Sequence, residues 1–436
     1  MSHTKWTLES LQKYGKNYLT AGVSSLFRNN PFTGLPMYLS KAEGAYIYDI
    51  TGKKYIDHFM GHGAVLLGHK RKEVEDAIRS ILSSGFYAEF DSESNIELAK
   101  MITEIVPCAD QALFTNSGSE ATQLAMRLAR GYTGKNKIVR IDGHFHGVND
   151  YALFNNLANK IDKDNSGNRS SKVNFHSSGI PKEVADTMII IPWNNIEAFA
   201  GMVKKEKSNI AGIIMNPIDY NNGCITTTRE YLSNINDIAH NNDIVVIYDE
   251  ILSGFRTGLS CAQGYYGTIP DLCTLGKAIS NGVPISMLAG KKEIMSKIID
   301  PELPVIHGGT FSGNQFGVAA SIASIKIMQQ KDFYRDLFEV SDYYYKNLQS
   351  LFDDNNIPAK VQHLGSNYFT YFGTDEPVTC YYQFDNIDWS FTKKFYKGCI
   401  EEGLYFHTDF TVSAAHTKED MDLTLETMQK VLNKIK

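Results

Sequence analysis

The chain has 436 residues, 43% of them hydrophobic and 21% charged, enough to bury more than one core and to make two or three domains. A formal net charge of −6 gives no basic face for a phosphate backbone, and no apolar run reaches the length of a bilayer span, so nucleic-acid binding and membrane insertion are set aside. The start "MSHTKWTLES" lacks the charged and apolar regions of a signal peptide, and six cysteines without C-x-x-C spacing fit reduced thiols, so a cytoplasmic location is expected.

After a helical start, "AYIYDITGKKYID" alternates apolar and polar residues about a Thr-Gly turn and predicts a hairpin. From residue 70 to 325 short apolar runs alternate with helical patterns: "QALFT", "KIVRID", "TMIII", "AGIIM", "DIVVIYD", "DLCTL" and "ISMLAG". Runs apolar on both faces and separated by helices predict a mainly parallel sheet covered on both sides, an α/β large domain. Within it the polar stretch from Asn155 to Pro181 is too long for a routine connection and is a candidate lid. The remainder, 326–436, reads as helices with weak strands such as "SNYFTYFG" and "VTCYYQF", a smaller α+β domain packed with the N-terminal segment 1–69.

Three stretches carry chemistry. In "LFTNSGSEAT" a strand turns into a helix at Ser117, Gly118 and Ser119, where free N–H groups and the positive dipole end suit a phosphate; alternatively Ser117 and Glu120 simply cap the helix. In "IVVIYDEILSGFRTG" Asp249 and Glu250 close a central strand at the edge where open α/β sheets bind ligands, although strand-end acids also cap helices. In "DLCTLGKAISNG" Lys277 follows a glycine at the end of another apolar run, and a lysine there needs a partner or a chemical task. His144 and His146 of "GHFHG" have no further cysteine or histidine cluster beside them, which argues against a metal site. A phosphate cup, a desolvated carboxylate and a lysine at one sheet edge match the needs of pyridoxal 5′-phosphate. Asp249 would hold the pyridinium proton, Lys277 would form the Schiff base and later move a proton, and the 117–119 turn would take the phosphate.

The ordered motifs "TNSGSEAT", "GHFHG", "VIYDEILSGFRTG", "PDLCTLGKAISNGVP" and "HGGTFSGNQ" resemble the signatures of class III pyridoxal-phosphate aminotransferases of fold type I over nearly the whole chain. "AGVSSLFR" and "SSGIP" resemble the glutamate-1-semialdehyde aminomutase subgroup. The resemblance implies a fold type I large domain with a seven-stranded sheet and a small domain drawn from both termini. It further implies Phe145 and Ile251 on the two faces of the pyridine ring, Thr310 reaching the phosphate from the neighbouring subunit of an obligate homodimer, and Arg28 on the substrate carboxylate.

Several positions depart from that subgroup. His62 stands where it has a tryptophan, Thr408 where it has a glutamate (with Asp409 adjacent), and Asn216-Pro217 where Glu-Pro is usual; no arginine follows Arg335. A wall altered at His62 and Thr408 predicts transfer of an amino group between a small carboxylate-bearing amine and a separate carbonyl acceptor by a ping-pong cycle. The alternatives are a glutamate-1-semialdehyde 2,1-aminomutase, or a related isomerase or epimerase, and a non-catalytic binding protein on the same scaffold.

Overall fold

In the computed structural model, which describes residues 6–85, 87–155 and 173–435, the predicted hairpin forms as β2 (Tyr46–Asp49) and β3 (Lys54–Asp57), preceded by β1 (Leu39–Glu43). Its turn is held by Asp49, whose Oδ1 accepts from the backbone N–H of Thr51 and of Lys53. All seven apolar runs of the large domain become strands of one sheet: β4 (Gln111–Thr115), β5 (Lys137–Ile141), β6 (Met188–Ile191), β7 (Ile210–Met215), β8 (Val245–Glu250), β9 (Leu272–Leu275) and β10 (Ser286–Gly290). Their order is β4-β10-β9-β8-β7-β5-β6, with β10 antiparallel to both neighbours and every other pairing parallel. This is an α/β fold with a mainly parallel sheet, as the run pattern predicts.

Strand periodicity divides the interior. Ile138, Ile214, Val245 and Ile247 join one apolar cluster with Leu124, Ala125 and Leu128 of the helix Gly118–Thr133. Val139, Ile213, Val246 and Tyr248 join a second, which also takes in Phe199, Leu232 and Ile235 from helices on the other side. Side chains two apart share a face. Asp249 therefore follows Val245 and Ile247 toward the Gly118–Thr133 helix, and Glu250 follows Val246 and Tyr248 away from it.

The C-terminal part adds β11 (Ala359–Leu364), β12 (Asn367–Phe372), β13 (Leu404–Tyr405) and β14 (Phe410–Thr411). Strand β13 lies parallel to β3 and completes the sheet β1-β2-β3-β13, so both termini build one unit; β11, β12 and β14 form a separate sheet. Two expectations are adjusted. "VTCYYQF" is not a strand: Gln383 Oε1 accepts from Thr379 N–H and Cys380 N–H, which winds Tyr381–Asn386 into a 3₁₀ helix. The division at residue 325 falls inside a continuous helix, Gln315–Met328. Residues 156–172 of the candidate lid lie outside the described residues. Among the described residues, no helix is long and apolar enough to cross a membrane.

Candidate active site

Lys277 opens a 3₁₀ turn, Lys277–Ser280, immediately beyond β9, with φ at +47°. It is enclosed by protein on most sides, and burial drives its amine down to about 8; Asp409 pulls it back up, Arg256 pushes it further down and Asp249 pulls it up. A buried amine that titrates near neutrality is available as nucleophile and proton carrier.

Asp249 is the last residue but one of β8, beside Thr274 of β9. Its Oδ1 accepts from Thr274 Oγ1 at 2.9 Å and Ile251 N–H at 3.1 Å, and its Oδ2 lies 2.7 Å from His146 Nδ1. Burial keeps His146 below the usual histidine range despite the aspartate, so the neutral ring donates its Nδ1–H to the carboxylate. His144 Nδ1 accepts from Asn216 N–H, and Asn216 Nδ2 donates to the Asp249 carbonyl. The two histidines weighed as metal ligands thus orient the aspartate and its strand. Among the described residues no group of three or more His, Cys, Asp or Glu could hold a metal ion. Glu250, on the opposite face, accepts from Ala262 N–H and Gln263 Nε2 at the start of the helix Cys261–Tyr266, and burial raises it to about 7. Its work is structural.

Ser117 is the N-cap of the Gly118–Thr133 helix: its Oγ accepts from Glu120 N–H, while Glu120 Oε2 accepts from Asn116 N–H. The capping arrangement and an exposed first turn coexist, because a cap satisfies only some of the free N–H groups at a helix start. Ser119 Oγ accepts from Val148 N–H, and a Cβ on Gly147 would sit 2.4 Å from that oxygen. This contact pins the helix start against the loop carrying Phe145 and His146. Ile251 lies under both other elements, its Cδ1 3.1 Å from where a Cβ on Gly118 or Gly276 would be. Phe145 is half-buried and meets Phe27 edge-on at 5.8 Å. That contact brings the N-terminal segment to the site, and Arg28 follows, exposed, its Nη1 donating to Ser24 Oγ. Thr310 is exposed and its carbonyl accepts from Glu89 N–H; adjacent Gly309 runs close to Asn116.

The far wall comes from two distant stretches. His62, at φ +60°, contacts Asp409 Oδ1 through Nδ1. Thr408 is exposed, and its hydroxyl donates to Asp409 Oδ1 at 3.3 Å. The buried carboxylate of this wall is therefore Asp409, 1% exposed, and not a group at 408. Burial raises Asp409, but His62, Lys277 and Arg256 together hold it below the usual carboxylate range. Arg256 is fully buried and donates to the carbonyls of Leu252 and Gly63 and to Asn367 Oδ1, binding the Asp249 loop, the His62 loop and β12 together. Sequence reasoning assigned Arg256 no role, although it lies within the motif that carries Asp249.

A strand-end aspartate, a largely enclosed lysine in the turn after the next strand and an open helix start, all at one edge of a seven-stranded mainly parallel sheet, define a pyridoxal-phosphate-dependent enzyme of fold type I. Comparison with known proteins narrows the class. Residues 29–432 match the family model "Aminotransferase class-III", and the chain belongs to that family. It is 35% identical to the glutamate-1-semialdehyde 2,1-aminomutase of Methanobrevibacter smithii over 431 residues, 97% of each chain. Among solved structures it is similar to an omega-transaminase from Sphaerobacter thermophilus (TM-score 0.91, 23% identity, 98% of this chain and 97% of the other). It is also similar to a glutamate-1-semialdehyde aminomutase from Pseudomonas aeruginosa (TM-score 0.86, 19% identity, 98% and 94%). The cofactor is pyridoxal 5′-phosphate, and the residues present fit it. Buried polar atoms without a partner among the described residues, His146 Nε2, Asn216 Oδ1 and Asp409 Oδ2, gather around Asp249 and Lys277, as expected of a compartment built for a polar guest.

Proposed function

We propose that this enzyme is a glutamate-1-semialdehyde 2,1-aminomutase, moving an amino group between adjacent carbons of one small carboxylate-bearing molecule. The observation that carries the reading is 35% identity to proteins of that name over almost the entire chain, in organisms as distant as Methanobrevibacter smithii and Sulfurisphaera tokodaii. It reverses the preference for intermolecular transfer drawn from the altered wall. Pyridoxal phosphate, when bound, supplies an electrophilic carbon for amines and an electron sink for the bonds then broken.

In this reading Lys277 attaches the cofactor and carries protons, a role supported by an amine that is half neutral near pH 8. Asp249 holds the pyridinium proton, supported by its three fixed donors. Phe145 and Ile251 take the two ring faces, and Ser117, Gly118 and Ser119 the phosphate. Arg28 binds the substrate carboxylate, supported by the Phe27–Phe145 contact one residue away. His62 and Thr408 line the substrate wall with Asp409. Thr310 completes the phosphate site of a second subunit. That dimer is supported by large apolar side chains left exposed around Thr310: Ile306 at 68%, Phe311 at 64% and, on the segment bonded to Thr310, Phe90 at 75%. A cytoplasmic setting agrees with six cysteines that are all free.

The test is to supply glutamate-1-semialdehyde without any other amine and follow 5-aminolevulinate. Formation of 5-aminolevulinate is expected. Transfer to a separate acceptor is the second reading, favoured by His62 and Thr408 in place of an aromatic and an acid. It would replace the first if a panel of amines each released a free carbonyl product while glutamate-1-semialdehyde alone gave nothing.

A further inference from the structure

Loop 60–63 turns sharply, with φ positive at Met60, Gly61, His62 and Gly63. Asp57 fixes its start, its Oδ1 accepting from Phe59 N–H and Met60 N–H and its Oδ2 meeting His69 Nε2 at 2.7 Å. Its far end is fastened to the Lys277 side. Leu67 N–H donates to Asn281 Oδ1 at 2.9 Å, Asn281 Nδ2 donates to the Gly68 carbonyl at 3.0 Å, and Arg256 holds the Gly63 carbonyl. His62 is thus carried on a rigid loop bonded to the turn that Lys277 opens.

His62 Nδ1 faces Asp409 Oδ1; in the neutral ring the proton shared with the carboxylate sits on Nδ1, and Nε2 is the lone-pair nitrogen. The aspartate is 1% exposed, whereas the imidazole is 35% exposed, so the ring is anchored on its inner edge and open on its outer one. A buried carboxylate orienting a half-open histidine is the arrangement of a positioned general base. The charged and titratable groups around the pair are Lys277 and Arg256 on the floor and His407 beside Asp409.

We propose that His62 is a second proton-handling catalytic residue, the base that deprotonates the incoming substrate ammonium, and that Asp409 is its positioning residue. The inference rests on the reading of this pocket as an amine-processing site. One N–H bond of the ammonium breaks, the proton joins His62 Nε2, and the electron pair stays on the now nucleophilic amine. Lys277, which attaches the cofactor in this reading, is not needed for this proton.

The test uses His62→Gly holoenzyme. Glycine accepts the positive φ at this position without strain and leaves a ring-sized space. Single-turnover conversion is followed by absorbance with whichever amine the wild type consumes fastest, so failure with glutamate-1-semialdehyde would overturn the aminomutase reading and leave this test intact. At neutral pH the variant is expected to react at least ~100-fold slower with unchanged cofactor content. Added imidazole should restore the rate in proportion to its free-base concentration, and the deficit should shrink as rising pH delivers neutral amine from solution. In proton NMR, one downfield N–H resonance should disappear in both His62→Gly and Asp409→Asn. A wild-type rate in His62→Gly, a loss indifferent to imidazole and pH, or no resonance shared by the two variants overturns the proposal.

Discussion

Replacing Lys277 by methionine should make the cofactor-free protein more stable. The unfolded lysine titrates near 10.5 and the folded one near 8. That gap already sets the cost of burial against the attraction of Asp409 and Asp249, so it measures the net penalty of holding the charge inside. At 1.36 kcal/mol per pH unit the penalty is about 3 kcal/mol. The sign follows from proton counts. Below pH 8 both states carry the proton and the full penalty is present; between 8 and 10.5 the unfolded chain binds more protons than the folded one, so stability rises with pH; above 10.5 nothing further is gained. Methionine fills similar space without charge. Lys277→Met should therefore gain about 3 kcal/mol at pH 7, a rise of ~3–4 °C in melting temperature at about 2.1 cal/mol/K per residue. The advantage should fade between pH 8 and 10.5. Thermal unfolding of both apoproteins across that range is the assay. A variant no more stable than the parent at pH 7, or an advantage unchanged at pH 10.5, would refute the reasoning.

Lys277→Ala should retain fold and cofactor binding while turnover falls by several orders of magnitude, and Asp249→Asn should be similarly damaging; near-native turnover in either counts against the assigned roles. Gly147→Ala combines φ +93° with a Cβ 2.4 Å from Ser119 Oγ, so it should cost about 1–3 kcal/mol and weaken cofactor binding. Gly34→Ala, at φ +73° with open space around it, separates backbone strain from collision and should leave cofactor affinity unchanged in the same titration. Phe311→Glu with Ile306→Glu should give a monomer in sedimentation that loses cofactor and activity together; a fully active monomer would remove Thr310 from the neighbouring site.

The sheet was legible because its strands are apolar on both faces and separated by helices, a pattern that leaves few other architectures. Asp249, Lys277 and the 117–119 turn were legible for a related reason: each breaks an apolar run at the strand edge where ligands bind. What remained hidden depends on contacts between residues far apart in sequence. Asp249 and Glu250 look alike in the chain, and only the two clusters either side of the sheet show that one faces the site while the other caps a helix. The sequence argues against His146 as a metal ligand but gives it no other task, and that task appears only where its Nδ1 meets Asp249. "VTCYYQF" has strand composition, but the side-chain amide of Gln383, accepting from Thr379 N–H and Cys380 N–H, winds it into a 3₁₀ helix instead.

The wall shows most sharply why substrate is harder to read than cofactor. Counting back from "SAAH" puts Thr408 at the subgroup's glutamate, yet the carboxylate that enters the site belongs to Asp409, and the partner that fixes it, His62, is supplied by a loop at the other end of the chain. Neither position alone carries the chemistry: an isolated histidine reads as a lost aromatic and an isolated aspartate as a neighbour of the expected acid. Together they set a carboxylate and an imidazole side by side in the pocket. The substitutions therefore argue less strongly for a wide, releasing pocket than they do when taken singly. In the proposed reading, Arg28 would hold the carboxylate of a substrate and the His62–Asp409 pair would meet its amine, and a grip at both ends is what migration of an amine within one molecule demands.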